Sequence, residues 1–234
     1  MEIYMVKILD ISEKKLNFIC SLIDIQKRQV IEKFINKKDK IRSLVGEILV
    51  RTIITQKLNI SNKNIILRKN QYGKPYLIGY PNFKFNISHS GNFVVCAIDN
   101  KSIGIDIEEV RNIEYEDIVK SFFSVSEFDY IIKQDLNCQL SKFYEIWVLK
   151  ESYIKCCGQG LTIPLKSFSI DIEGYENIRV TINNEYKEHK FKRFDIDLEY
   201  KMAVCSLNKK ISDNVISINQ NTLINEYCKF VLDR

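Results

Sequence analysis

From Ile103 to Glu108 the chain alternates: Ile103, Ile105 and Ile107 stand against Gly104, Asp106 and Glu108. A period of two belongs to a strand with one buried face, so Asp106 and Glu108 point the same way. From Trp147 to Lys155 the apolar spacing is helical instead. Residues four apart share a helix face, which sets Trp147, Glu151 and Lys155 in one stripe. Long amphipathic helices are predicted around Ile41, Leu44, Val45, Ile48 and Leu49, and around Phe143, Ile146, Trp147 and Ile154.

An internal echo accompanies these helices. Phe85-Asn86-Ile87 is followed by Val95-Cys96-Ala97-Ile98, and Phe194-Asp195-Ile196 by Val204-Cys205-Ser206-Leu207 at the same spacing. Each copy reads as two strands joined by a short connection. Each follows a long helix and a Gly/Pro turn, Tyr72-Gly73-Lys74-Pro75 in one case and Gly158-Gln159-Gly160 through Pro164 in the other. The expected fold class is therefore α+β, built as two similar α+β halves. Residues 1–103 form the first half, 104–210 the second, and 211–234 a polar C-terminal tail. Asp106 and Glu108 then fall at the junction, and interfaces between domains are favoured ligand sites.

With 234 residues and 45% hydrophobic content, the chain can bury a full core. No apolar run approaches the ~20 residues of a membrane span, and Met1-Glu2-Ile3-Tyr4 lacks the features of a signal peptide. A soluble cytoplasmic protein without membrane attachment is expected. The seven Cys lack paired C-x-x-C spacing; Cys20, Cys96 and Cys205 lie in apolar patterns and read as buried, reduced thiols, with adjacent Cys156 and Cys157 set apart. The net charge of +5 is spread along the chain. It suits an anionic ligand or an acidic protein partner and gives no sign of nucleic-acid binding.

If strand and helix pack together, Asp106, Glu108 and Glu151 meet. Such an all-oxygen set, with no His or Cys at ligand spacing, suits Mg²⁺ better than Zn²⁺. Lys155, one turn beyond Glu151, adds a point charge for phosphate. The alternative is that these carboxylates are a solvated strand edge and a surface helix residue. Ser88-His89-Ser90-Gly91 and Tyr72-Gly73-Lys74-Pro75 are each either anion-facing loops or ordinary polar turns. Lys27, Arg28, Arg42 and Ser43 lie in helical stretches whose charges are ordinarily solvated, and His189 sits in a charged run where exposure is expected.

Taken in order, Lys74-Pro75, Phe85 through Ser90, Gly104 through Glu108, Phe122-Phe123-Ser124 and Trp147 through Lys155 resemble the signature of the surfactin-synthetase-activating type of 4'-phosphopantetheinyl transferase. The similarity runs from the N-terminal strand to about Leu207. It implies a monomeric pseudo-dimer with coenzyme A bound between the halves, and Mg²⁺ held by Asp106, Glu108 and Glu151. It further implies Lys155 on the pyrophosphate, Lys74 and Pro75 at the nucleotide, and Ser88 and His89 around the 3'-phosphate. Lys27, Arg42 and Ser43 supply further nucleotide contacts. Val30 departs from the pattern, standing where some relatives carry a second lysine, and Lys33 on the next turn is a substitute.

The implied reaction is attack of a serine hydroxyl of an apo acyl or peptidyl carrier protein on the β-phosphorus of coenzyme A, releasing adenosine 3',5'-bisphosphate. Such carriers serve fatty-acid, polyketide or nonribosomal peptide synthesis. Glu151 is the first candidate for the base and Glu127 the second. The segment from Arg111 to Gln139, with Phe122, Phe123, Phe128 and Tyr130 beside Lys120 and Lys133, is the expected carrier dock, although these aromatics suit a core equally well. Two other readings are a non-catalytic coenzyme A or nucleotide-binding regulatory protein on the same fold, and a different Mg²⁺-dependent phosphoryl or nucleotidyl transferase. Against the last, there is no Gly-x-x-x-x-Gly-Lys-Ser/Thr loop.

Overall fold

The computed structural model describes residues 1–174 and 177–232. The first half runs β1 (Glu2–Lys7), α1 (Glu13–Ser21), α2 (Ile25–Glu32), α3 (Lys37–Leu58), β2 (Leu67–Lys69), β3 (Pro75–Leu77), β4 (Lys84–Ser90) and β5 (Phe93–Asp99). The second runs β6 (Ile103–Glu109), α4 (Glu116–Phe122), α5 (Val125–Ile132), α6 (Leu136–Cys157), β7 (Ser169–Glu173), β8 (Asn177–Ile182), β9 (Glu185–Tyr186), β10 (Lys190–Phe194) and β11 (Tyr200–Ser206). β12 (Val215–Asn219) and α7 (Gln220–Leu232) follow.

The two predicted long helices are α3 and α6, each of 22 residues. Asn36 caps the start of α3 by accepting from the Lys38 N–H, and Gly158 ends α6 in the left-handed conformation that glycine adopts without strain. α3 covers a sheet of order β12-β1-β5-β4, and α6 covers one of order β10-β11-β6. Between the sheets Ile3, Val95, Ile103, Ile105, Ile107, Met202 and Val204 pack as one buried cluster. Each such side chain contributes about 1.5–3 kcal/mol on full burial, which fixes the register of β6 and hence the direction of Asp106.

Both hairpins of the echo form, but they are not copies in register. Phe85 lies opposite Ile98, whereas Phe194 lies opposite Met202. Residues 195–199 connect β10 to β11, against only Gly91 and Asn92 between β4 and β5, so Asp195-Ile196 is connection and not strand. The matched spacing conceals a longer loop.

The expected tail is also corrected. β12 pairs in parallel with β1, placing Val215 beside Ile3, and α7 buries Leu223, Ile224 and Tyr227 in the cluster shared with α3. The Gln220 side chain accepts from the Leu9 N–H at 2.8 Å and donates to the Leu9 carbonyl at 3.2 Å, fastening the join. The segment is a working edge of the first half.

Where the sheets meet, side chains replace a backbone ladder. The Asn86 carboxamide oxygen accepts from the Ile105 N–H at 2.8 Å, the Ser88 hydroxyl from Ile107 at 3.4 Å and the Ser90 hydroxyl from Glu109 at 3.1 Å. These are alternate residues of β4, all on one face. They hold β6 with its acidic face toward α6. No helix of the described residues is long and apolar enough to cross a membrane.

Candidate active site

Gly104 decides how close α6 can come to β6. A Cβ there would lie 2.0 Å from the Ser152 carbonyl oxygen and 2.4 Å from the Cys156 nitrogen. Only glycine permits this backbone-to-backbone approach, and it delivers the Glu151 and Lys155 side chains to Asp106.

At that crossing the Lys155 ammonium donates to Asp106 Oδ1 at 2.5 Å and to the Ser88 hydroxyl at 2.9 Å; Ser88 in turn donates to Asp106 Oδ1 at 2.8 Å. The other oxygen, Asp106 Oδ2, is buried with no hydrogen-bond partner. Ser90 donates to Glu108 at 2.8 Å. Burial, and then the charge of Asp106, raise the Glu108 pKa to about 7. The same two causes raise that of Glu151, while Lys155 opposes both shifts. Three carboxylates thus share one field with too little positive charge. They are neighbours without being closed on a single point: among the described residues, no three Asp, Glu, His or Cys side chains converge as a ready metal cage. Their chemistry nonetheless fits a hard cation, since the donors are all oxygen and one of them is buried and orphaned.

Around this centre lies a cationic rim. His89 on β4 is surface-exposed at its edge, and its pKa is lowered by partial burial and by the neighbouring charges of Arg42, Lys155 and Lys27. Arg42 donates to the Gly91 carbonyl at 2.6 Å and pairs with Asp39, leaving its Nε buried without a partner. Ser43 is buried beside it on α3. Lys27 on α2 has a pKa lowered by burial and lies 3.9 Å from Glu47. Val30 and Lys33 are both exposed.

Lys74 has a different setting from that expected. Its ammonium donates to the carbonyls of Ile103 at 2.9 Å, Lys155 at 2.6 Å and Cys156 at 3.3 Å, capping the end of α6. It ties the 70–75 turn to both site segments, and burial lowers its pKa. Asn70 completes the joint by donating to the Gly158 carbonyl at 2.8 Å. With Pro75, which begins β3, these residues line an open cleft of about 260 Å³.

Glu127 stands apart. It is fully buried, accepts from Lys150 on both oxygens at 2.7 and 2.8 Å, and also takes the N–H groups of Ser124 and Ile170. Every lone pair facing a donor is in use, so the expectation that it serves as a base is corrected: it closes a capping box on α5 and pins α5 to α6 and β7. Trp147 packs one turn before Glu151, stacked on Phe123 and tilted against Phe143. His189 is half-buried and not exposed, with its Nε2 4.0 Å from Cys157 Sγ. Sequence reasoning named Gly104, Asn86, Ser90 and Lys150 only within motifs and missed the positioning role of each. A lone Gly within an alternating strand was the available signal for the first.

Comparison with known proteins places this arrangement. Residues 10–101 match the family described as 4'-phosphopantetheinyl transferase, N-terminal, and residues 102–205 the 4'-phosphopantetheinyl transferase superfamily. The 4'-phosphopantetheinyl transferase gsp of Aneurinibacillus migulanus is 38% identical over 96% of this chain and 92% of its own length. The chain belongs to the 4'-phosphopantetheinyl transferase family. Within that family, Sfp of Bacillus subtilis (strain 168) is 35% identical over 87% of this chain and 91% of its own. The human L-aminoadipate-semialdehyde dehydrogenase-phosphopantetheinyl transferase is 32% identical over 76% and 65%. Among solved structures, holo-[acyl-carrier-protein] synthase of Thermotoga maritima aligns with 48% of this chain and 66% of its own at 16% identity, with a TM-score of 0.39. The two matched segments fall on the two halves of the pseudo-dimer.

Proposed function

We propose that this phosphopantetheinyl transferase moves the 4'-phosphopantetheine group of coenzyme A to a serine of an apo acyl or peptidyl carrier protein at the Asp106–Glu108–Glu151–Lys155 cluster, releasing adenosine 3',5'-bisphosphate. The observation that carries the reading is a buried Asp106 with half-buried Glu108 and Glu151, under-neutralised beside a lysine on the seam between the halves of a family member. Asp106 through Oδ2, with Glu108 and Glu151, would hold Mg²⁺, which supplies charge neutralisation at the pyrophosphate when bound.

The chain's own residues do the rest. Lys155 swings from Asp106 to a phosphate oxygen, and His89, Arg42, Ser43 and Lys27 offer the rim that suits a 3'-phosphate, with Lys33 next to Val30 as an added charge. Lys74 holds the turn that the nucleotide meets, its ammonium committed to carbonyls. Glu151 takes the serine proton, directly or through a water. Placement of both reactants accounts for much of the remaining acceleration.

The carrier docks on residues 111–139, where Ile113, Phe122, Val125 and Ile132 are exposed beside exposed Lys120 and Lys133, while Phe123 is core. The enzyme acts as a monomer, because one chain supplies both walls of the site. Seven free thiols favour the reducing cytoplasm. A purely binding role would not need the four-residue cluster. Intact-mass spectrometry of apo acyl and peptidyl carriers, incubated with this protein, coenzyme A and Mg²⁺, tests the reading. A chelator-sensitive gain of one phosphopantetheine group is expected; no gain on any carrier despite coenzyme A binding would refute it.

A further inference from the structure

The cleft beside Lys74 has a second chemistry in its wall. Cys157 is half-buried at the end of α6 and lines the cleft together with Lys74 and Gly158. Its Sγ is 4.0 Å from His189 Nε2, and Tyr153 holds that imidazole edge-on at 4.9 Å between ring centres. Cys156 and Cys205 lie behind it, fully buried. We propose that Cys157, paired with His189, is a modification site for low-molecular-weight disulfides, and that the modified side chain closes the cleft to coenzyme A.

Charge supports the geometry. The hydrogen bond from Cys205, together with His189, brings the Cys156 thiol down to about 6 against the effect of burial. Burial pushes His189 down, but its contacts with Cys156 and Cys157 outweigh this and raise it to about 9. At neutral pH the imidazole beside Cys157 Sγ therefore carries the proton, and Lys74 adds a second cation beside Cys156. Partly exposed cysteines in electropositive surroundings are the reactive ones. The buried sulfurs are shielded, which leaves Cys157 as the one an incoming reagent reaches.

The step is thiol–disulfide exchange. The Cys157 thiolate attacks one sulfur of the reagent, a new S–S bond forms as the old one breaks, and the other half leaves as a thiolate that takes up a proton. No other oxidant is needed. Cys157 and Lys74 line the same cleft, so a substituent on the Cys157 sulfur extends into it. The closure rests on the coenzyme A assignment above; the reactivity does not.

The test treats the full-length protein with glutathione disulfide at pH 7 and maps adducts by mass spectrometry. Exposed Cys138 is the internal standard. Cys157 should react faster than Cys138 and be restored by reductant. His189→Gln, which removes the cation beside Cys157 Sγ, should slow it several-fold without changing Cys138. Coenzyme A binding should fall in step with the Cys157 adduct and be insensitive to the reagent in Cys157→Ser or Cys157→Ala. Faster reaction at Cys138 with no effect of His189→Gln would overturn the site. Complete modification of Cys157 with undiminished coenzyme A binding would overturn the closure and the coenzyme A placement while leaving the reactive thiol standing. A protein that transfers nothing to any carrier would still answer the question at Cys157.

Discussion

Lys150 and Lys155 lie on the same helix, five positions apart, and each pairs with a carboxylate. Around Lys150 all is balanced: Glu127 receives two bonds from the ammonium and two from backbone N–H groups, and Lys150 also donates to the Phe168 carbonyl at 2.9 Å. Around Lys155 nothing is: one ammonium faces Asp106 while Glu108 and Glu151 stand near with raised pKa values. A closed, satisfied pair is a structural joint, and its worth appears when one partner is lost. A group of partly buried charges left under-neutralised is held in that state by the rest of the fold, and such groups mark sites of chemistry.

The sharpest way to break the comparison is to neutralise the open cluster. Asp106→Asn should lower turnover about a thousandfold, or about 4 kcal/mol of transition-state stabilisation, while thermal stability is nearly kept. Steady-state transfer beside a melting curve checks both halves of that statement. Glu127→Ala should do the opposite, removing about 3–5 kcal/mol of stability by leaving Lys150 buried and alone, as measured by denaturant unfolding.

The pH dependence separates the two regions again. Between the ordinary Glu value of 4.5 and about 7, folded Glu108 holds a proton that the unfolded chain has released. Stability in chelator should therefore fall by up to about 3 kcal/mol as pH rises through that window. Glu108→Gln should flatten the slope, whereas a slope unchanged by the variant would remove the claim of crowded carboxylates. The smallest effect is at the rim. Replacing Lys120 and Lys133, whose ion pairs with Asp117 and Asp129 are exposed at 3.8 and 3.5 Å, should raise KM for an acidic carrier a few-fold and leave KM for coenzyme A alone.

Much of the open cluster was legible in the sequence because it rests on local periodicity. Alternation in β6 and four-residue spacing in α6 aim Asp106, Glu108, Glu151 and Lys155 before any packing is known. The closed pair was not legible: Glu127 and Lys150 meet only through tertiary packing, so a carboxylate in a recognisable motif position read as chemistry. Lys74 shows the same limit, its position apparent and its partners, three backbone carbonyls, invisible. In the fold, the two helices and both hairpins could be read. The hairpin registers could not, because loop length and not residue spacing sets them. β12 and α7 escaped because a short strand and one amphipathic helix in polar surroundings give little signal alone.

The most direct test of the account uses both regions at once: single-turnover transfer to an apo carrier by Glu151→Gln and by the double variant Glu127→Gln/Lys150→Met, each confirmed folded. The double variant replaces the closed pair with uncharged groups and should transfer within about tenfold of the parent, while Glu151→Gln should lose on the order of a thousandfold. A folded double variant as inactive as Glu151→Gln, or a Glu151→Gln protein that turns over normally, would contradict the division of labour drawn between them.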